Sequence, residues 1–144
     1  MKRKVRTISV NNQKFVWWYG ISEHVTTVNI SPFHDKTSVI SINFPDISMC
    51  FNWEECNESI IISLQRQDIP QMYLGNYNES VVISKDNTQY CVKIVEPKMA
   101  GLLLSYLIVR NDLFVTRKTT ILNGYDVLSQ MGYQIDEVKK GMYW

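Results

Sequence analysis

The chain has 144 residues, of which 45% are hydrophobic and 20% charged, and its formal net charge is +1. That length and balance exclude a disordered chain and set an expectation of one domain, with a core that needs no disulfide or metal staple. Near-neutral charge gives no global drive toward nucleic acid or a membrane surface.

The opening half reads as short strands. Residues 4–10 and 14–19 form an expected hairpin around Asn11-Asn12-Gln13, because Asn tolerates positive φ. Residues 24–30 and 38–44 are the next pair, joined by Ser31-Pro32-Phe33-His34-Asp35. A fifth strand is expected at 59–65. A long loop at 66–79 carries Met72, Tyr73, Leu74 and Tyr77. The pair 80–84 and 89–95 flanks the turn Lys85-Asp86-Asn87. Strands in this number, with turn chemistry between them, predict an antiparallel β-meander of about 6–7 strands.

Alternation assigns the faces. Phe15, Trp17 and Tyr19 share one side of their strand and Val16 and Trp18 the other. Ile40, Ile42 and Phe44, then Ile60, Ile62 and Leu64, then Tyr90, Val92 and Ile94, continue the apolar face. The opposite face is mixed, with apolar islands at Val16, Trp18, Val39, Ile61 and Val95. This predicts a curled sheet or half-barrel, closed on one face by helices and partly covered on the other.

The pattern breaks at Val95-Glu96-Pro97. Proline suits a first helical turn and the acid complements the positive helix end. Met99, Leu102, Leu103, Tyr106, Leu107 and Arg110 then follow helical spacing, and Asn111-Asp112 is the expected end. Thr119 or Thr120 is expected to cap a second helix over 121–131. There Ile121, Tyr125, Leu128 and Met131 share a face, Gly124 weakens the interior, and Gly132 marks the stop. The fold class is therefore α+β in a single domain over 1–144. Residues 1–95 are β-rich, 96–132 helical, and 133–144 a tail or short strand.

Catalytic and metal patterns are weak. Cys50 and Cys56 are too widely spaced for a zinc knuckle, and His34 has no companion ligand pair. Cys91 with His24 or His34 is the one thiol–imidazole combination, but Cys91 sits mid-strand without an activating helix N-terminus. Glu54, Glu55 and Glu58 read as a solvated acidic stretch rather than a carboxylate pair. The glycines are too scattered for a phosphate loop. The expectation is no enzyme activity, no metal and no cofactor. Three cysteines are an odd count for a disulfide framework. No apolar run approaches the ~20 residues of a membrane span. Residues 5–10 are too polar for the core of a secretory signal. A cytoplasmic protein with free thiols is expected, in which the N-x-S triplets at Asn29, Asn57 and Asn78 are coincidental.

Two binding readings remain. Lys2, Arg3, Lys4, Arg6 and Lys14 lie on one hairpin with Phe15, Trp17, Trp18 and Tyr19, a pattern that serves phosphates and base stacking. Alternatively, the aromatic content of 12% exceeds what one core needs. Trp18, on the opposite face from Trp17, can then anchor a protein partner together with Met72, Tyr73 and Tyr77. In that reading Glu54, Glu55 and Glu58 steer a basic partner toward the surface.

Lys2-Arg3-Lys4 leading to Val10-Asn11, Phe15 and Trp17 resembles the opening hairpin of small uncharacterised bacterial α+β proteins. Pro97-Lys98, Asn123-Gly124, Leu128 and Gly132-Tyr133 are similar to their helical tail. The resemblance implies an α+β fold and a bacterial origin, and transfers no activity. In size and in the lack of catalytic motifs the chain also resembles immunity proteins of bacterial toxin systems. The leading expectation is a non-enzymatic protein that occludes a cognate toxin, with the nucleic-acid-binding hairpin as the alternative.

Overall fold

The computed structural model of the chain describes residues 5–21, 25–45 and 76–142. The elements run β1 (Arg6–Val10), β2 (Gln13–Ile21), β3 (Val25–Pro32), β4 (Val39–Pro45), β5 (Asn76–Lys85), β6 (Thr88–Lys93) and α1 (Pro97–Leu107). A 3₁₀ turn at Asn111–Leu113 follows, then β7 (Thr119–Asn123), α2 (Gly124–Gln130) and β8 (Gln134–Met142). The class is α+β. The strand expected at 59–65 lies outside the described residues.

The strands divide between two sheets, ordered β1-β2-β3-β4-β7 and β6-β5-β8. In the first, β1 to β4 are antiparallel neighbours. A continuing meander would add its next strand to the far edge of β4. That edge is taken instead by β7, parallel to β4, with Ile40 opposite Thr120 and Ile42 opposite Leu122. A parallel neighbour needs a long crossover, and the intervening β5, β6 and α1 supply it. β5 then pairs antiparallel with β6 on one side and β8 on the other. Within the expected tail, Gln134–Met142 forms a full strand, and the end of the expected 66–79 loop is already strand from Asn76.

Local signals set the element ends. Asn11 and Asn12, then Asp86 and Asn87, all have positive φ, between 52° and 64°. Two such residues in succession make the hairpin turn whose twist matches that of the strands. Pro97 opens α1 and Glu96 is its N-cap. The helix stops at Leu107, a turn before Asn111-Asp112, and Val109 beyond it is 80% exposed. The second helix is shorter than its apolar spacing suggests. Thr119, Thr120 and Ile121 are β-branched and find hydrogen-bonding partners on β4, so they extend. Asn123, not Thr119 or Thr120, caps α2, accepting from the Tyr125 and Asp126 N–H groups at 2.9 and 3.1 Å. Gly132, at φ +96°, ends it, with the Tyr133 N–H reaching back to the Leu128 carbonyl.

One apolar core joins both sheets and both helices. It contains Phe15 and Trp17 of β2, Ile30 of β3, Ile40, Ile42 and Phe44 of β4, Val81 and Ile83 of β5, and Ile94. The helices add Met99, Leu103, Leu104 and Leu107 from α1, and Tyr125 and Leu128 from α2. The helices therefore close Trp17's face, leaving Val16 and Trp18 on the other side of β2. The inward phase fades toward the periphery, where Tyr19 and Tyr90 are exposed. Gly124 is explained by this packing. A Cβ there would lie 2.4 Å from the Phe44 ring, so only glycine lets α2 approach β4 this closely.

A buried polar network links the sheets. Asn78 of β5 donates from Nδ2 to the Phe44 carbonyl at 3.0 Å and to the Tyr125 hydroxyl at 3.3 Å. Tyr125 donates in turn to the Pro45 carbonyl at 2.6 Å. Thr26 of β3 donates to the Asn78 carbonyl at 2.8 Å. A buried group stripped of its partner costs about 1–3 kcal/mol.

Two outcomes follow for urea titrations. Asn78→Ala is expected to lower stability by about 1–3 kcal/mol, because the buried Phe44 carbonyl loses its side-chain donor. Gly124→Ala is expected to cost about 1–3 kcal/mol through overpacking, part of which Phe44→Leu restores in the double variant.

Candidate functional site

The β3–β4 connection, residues 33–38, is a folded loop. The Asp35 N–H bonds the Pro32 carbonyl at 3.2 Å and the Ser38 N–H bonds the Asp35 carbonyl at 3.3 Å. The buried Ser31 hydroxyl donates to the Ser38 carbonyl at 2.6 Å from beneath. The Asp35 carboxylate is the hub. Its Oδ1 accepts from the Thr37 N–H at 3.2 Å and the Thr37 hydroxyl at 2.6 Å. Its Oδ2 accepts from the Thr116 hydroxyl at 2.6 Å, from a residue 81 positions away. The Arg117 N–H bonds the Thr37 hydroxyl at 3.0 Å, and Arg117 takes a positive φ of 61° to do so. The loop before β7 is thereby latched onto the loop before β4. The hydrogen bonds from Thr116 and then Thr37 hold the Asp35 carboxyl below its ordinary value of 3.8.

The latched loop displays Phe33, which is 44% exposed. The Lys14 ammonium lies 4.1 Å from its ring centroid and the Lys36 ammonium 4.9 Å. An exposed cation–π contact contributes only about 0.5–1 kcal/mol, so both ammonium groups stay available to an anion. Two hollows flank the loop. One, of about 530 Å³, has Phe15 and Phe114 as its apolar wall, with Lys14, His34, Asp35, Ser38 and Thr116 among its lining. The other, of about 480 Å³, is lined by Val5, Val16, Trp18, Asn29, Lys36 and Val39 on the opposite sheet face.

Comparison with protein-family models, with curated proteins and with solved structures finds no match to this chain. The site is therefore read from its own geometry.

The residues singled out in the sequence scatter. Trp18 is half-buried and lines the second hollow beside Lys36. Tyr77 pairs with Gly141 inside β5 and β8. Arg6 sits over the Trp17 ring at 5.5 Å, whereas Lys14 serves Phe33, so the two hairpin cations attend different rings. Met72, Tyr73, Glu54, Glu55, Glu58, Lys2, Arg3, Lys4, His24, Cys50 and Cys56 lie outside the described residues. Cys91 is exposed on β6, an outer strand of the three-stranded sheet, while His34 sits in the β3–β4 loop of the other. Among the described residues no three His, Cys, Asp or Glu side chains gather into a metal-holding group. Asn78 of the third N-x-S triplet is buried and hydrogen-bonded, a position closed to a glycan in the folded chain.

Phe33, Lys36, Asp35 and Ser38 were missed because 31–38 reads simply as a connector. An aromatic residue in a polar loop, beside Asp-x-Thr with its side-chain turn, is the signal that marks it. The pairing with Thr116 has no sequence signal at that separation.

Asp35 supports a pH test. Its folded-state pKa is depressed, so its contribution to stability is present above the unfolded value and lost as pH falls through the folded one. Asp35→Asn is expected to melt below the unchanged chain at neutral pH. The gap should narrow below about pH 4, as both chains then carry an uncharged group. Thermal melts across that range check it, and a gap independent of pH would contradict the latch.

Proposed function

We propose that this chain is a non-enzymatic partner-binding protein whose contact surface is the β3–β4 loop, centred on Phe33. The carrying observation is an exposed aromatic ring with two ammonium groups on it, presented by a loop that hydrogen bonds hold rigid. A preorganised aromatic next to cations is the pattern of an interface anchor, because little entropy is lost when it docks. The hollow holding Trp18 shares Lys36 with this patch, which extends the surface onto the second sheet face.

The charge of the patch selects the partner. Lys14 and Lys36 call for carboxylates, and Asp35 is turned into its own hydrogen bonds with Thr37 and Thr116. The partner surface is thus acidic, opposite in sign to the one that Glu54, Glu55 and Glu58 would attract. In its specific form the reading is an immunity protein that works in the cytoplasm and covers a cognate bacterial toxin domain. The chain's size and its lack of catalytic motifs support that form by analogy, and the resemblance of its two ends to small bacterial proteins supports only a bacterial origin. No helix among the described residues is long and apolar enough to cross a membrane.

Nucleic acid is the second reading, favoured by the convergence of Lys14 with Lys36 at one aromatic ring. The same geometry weighs against it. An ammonium 4.1 Å from the centroid already occupies a ring face, and a stacking base would have to displace it.

Calorimetry on the complex co-purified from native cells tests the choice. Phe33→Ala combined with Lys36→Glu is expected to weaken partner binding by about tenfold or more. Unchanged affinity removes this surface from the interface. Saturable binding of a labelled oligothymidylate that falls steeply with salt supports the nucleic-acid reading instead.

A further inference from the structure

An outer strand exposes a row of backbone groups that can pair with another chain, and proteins blunt such edges with bulges, lysines or inward-pointing charges. Each sheet has one outer strand treated in this way. β1 turns Arg6 inward over the Trp17 ring at 5.5 Å. β8 shifts register at Asp136 and carries Lys139. β6 differs. Its register with β5 is unbroken over all six residues, from Thr88 opposite Lys85 to Lys93 opposite Ser80. It contains no proline, and its single charge, Lys93, sits at the strand end and pairs with Glu96 at 3.8 Å. Thr88 to Cys91 and Lys93 are exposed. The two-residue turn at Asp86-Asn87 makes Lys85 and Thr88 a hydrogen-bonded pair, and alternation then directs the N–H and C=O of Tyr90 and Val92 toward β5. Ile94 keeps that phase, its N–H bonding the Glu79 carbonyl at 2.8 Å. Gln89, Cys91 and Lys93 therefore direct theirs outward, where no strand among the described residues stands opposite them.

We infer that the β6 edge is a homodimer surface, on which two copies of the chain join antiparallel into one six-stranded sheet about a two-fold axis at Cys91. This is the symmetric register that mates all three outward residues, with Cys91 opposite Cys91 and Gln89 opposite Lys93 in both directions. An axis at Tyr90 sets Lys93 against the hairpin turn, and one at Lys93 sets two ammonium groups side by side. With the axis at Cys91 no like charges are opposed. Lys93 comes across from Gln89, whose amide nitrogen is held by the Asp136 carboxylate at 3.1 Å. On the other sheet face Tyr90, 40% exposed, comes across from Val92, an aromatic and β-branched pair. Residues opposed in a hydrogen-bonded pair have Cα atoms about 5.5 Å apart, so the two exposed Cys91 thiols come within disulfide range. One edge of six residues buries less than the about 1,200 Å² of a standard interface, so the dimer is a weak one. It uses no residue of the Phe33 surface.

Sedimentation velocity of the whole chain, from about 5 µM to about 500 µM, tests this. The average coefficient is expected to climb toward that of a dimer, with a dissociation constant on the order of 100 µM. Cys91→Lys sets two cations on the axis and should weaken dimerisation by about fivefold or more, while Phe33→Ala leaves it within about twofold. Circular dichroism reports whether Cys91→Lys folds. Diamide supplies a second readout on the unchanged chain. It takes two electrons and two protons from a pair of thiols, leaving a disulfide, and is itself reduced to the hydrazine. The treated chain is expected to give a covalent dimer whose mapped cross-link joins Cys91 to Cys91. A coefficient independent of concentration overturns the inference, as does a folded Cys91→Lys chain that dimerises as tightly as the unchanged one. Diamide products without a Cys91–Cys91 bond overturn it equally.

Discussion

Two sheets that share no strand must still be held in one relative position, and Asn78 is the joint. Its side chain donates to the backbone of β4 and to Tyr125 of α2, and its own carbonyl accepts from Thr26 of β3. Tyr125 closes the ring by donating to Pro45. Apolar packing alone is non-directional and would tolerate sliding of one sheet over the other. A buried amide with fixed acceptors does not, because a displaced sheet leaves buried donors and acceptors unmet. The apolar cluster supplies most of the stabilisation, and this network selects one arrangement of it.

The same arrangement makes β4 the centre of the fold. Asn78 and Gly124 bring β5 and α2 onto its inner face, where Phe44 meets Tyr125 edge to face with centroids 5.4 Å apart. The residues before α2 pair with the edge of β4 and form β7. The parallel register sets the start of β7 beside the start of β4, where the Val39 N–H bonds the Lys118 carbonyl. The two loops that lead into these strands therefore meet at the same end of the sheet. The Asp35–Thr116 latch is a consequence of that register, and the rigidity of the Phe33 surface is a consequence of the latch.

The chemistry of the loop follows from its position. It leaves the sheet at Pro32, which pairs with Phe15 next to Lys14 near the start of β2, so a cation from the neighbouring strand reaches the ring that the loop exposes. Lys36 approaches the same ring from within the loop. Asp35, the one acid among them, is drawn away by Thr37 and Thr116 and leaves the cations unneutralised. A patch of this kind gives affinity through the ring and association rate through the charges.

The sequence by itself determined what depends on near neighbours. The inward phase of Trp17, Ile40, Ile42 and Phe44, the positive-φ turns at Asn11-Asn12 and Asp86-Asn87, the helix start at Pro97 and its counterpart stop at Gly132 all rest on relations a few residues long. Thr119–Asn123 shows where such relations end. The spacing of Ile121, Tyr125 and Leu128 suits a helix, and nothing local says that β4 offers a free edge. The burial of Asn78, the need for glycine at 124 against Phe44 and the joining of Asp35 to Thr116 were likewise decided only by the tertiary structure. Each is a contact between segments far apart in the chain. A residue's own neighbours do not encode which distant backbone group or ring will stand opposite it once the two sheets close.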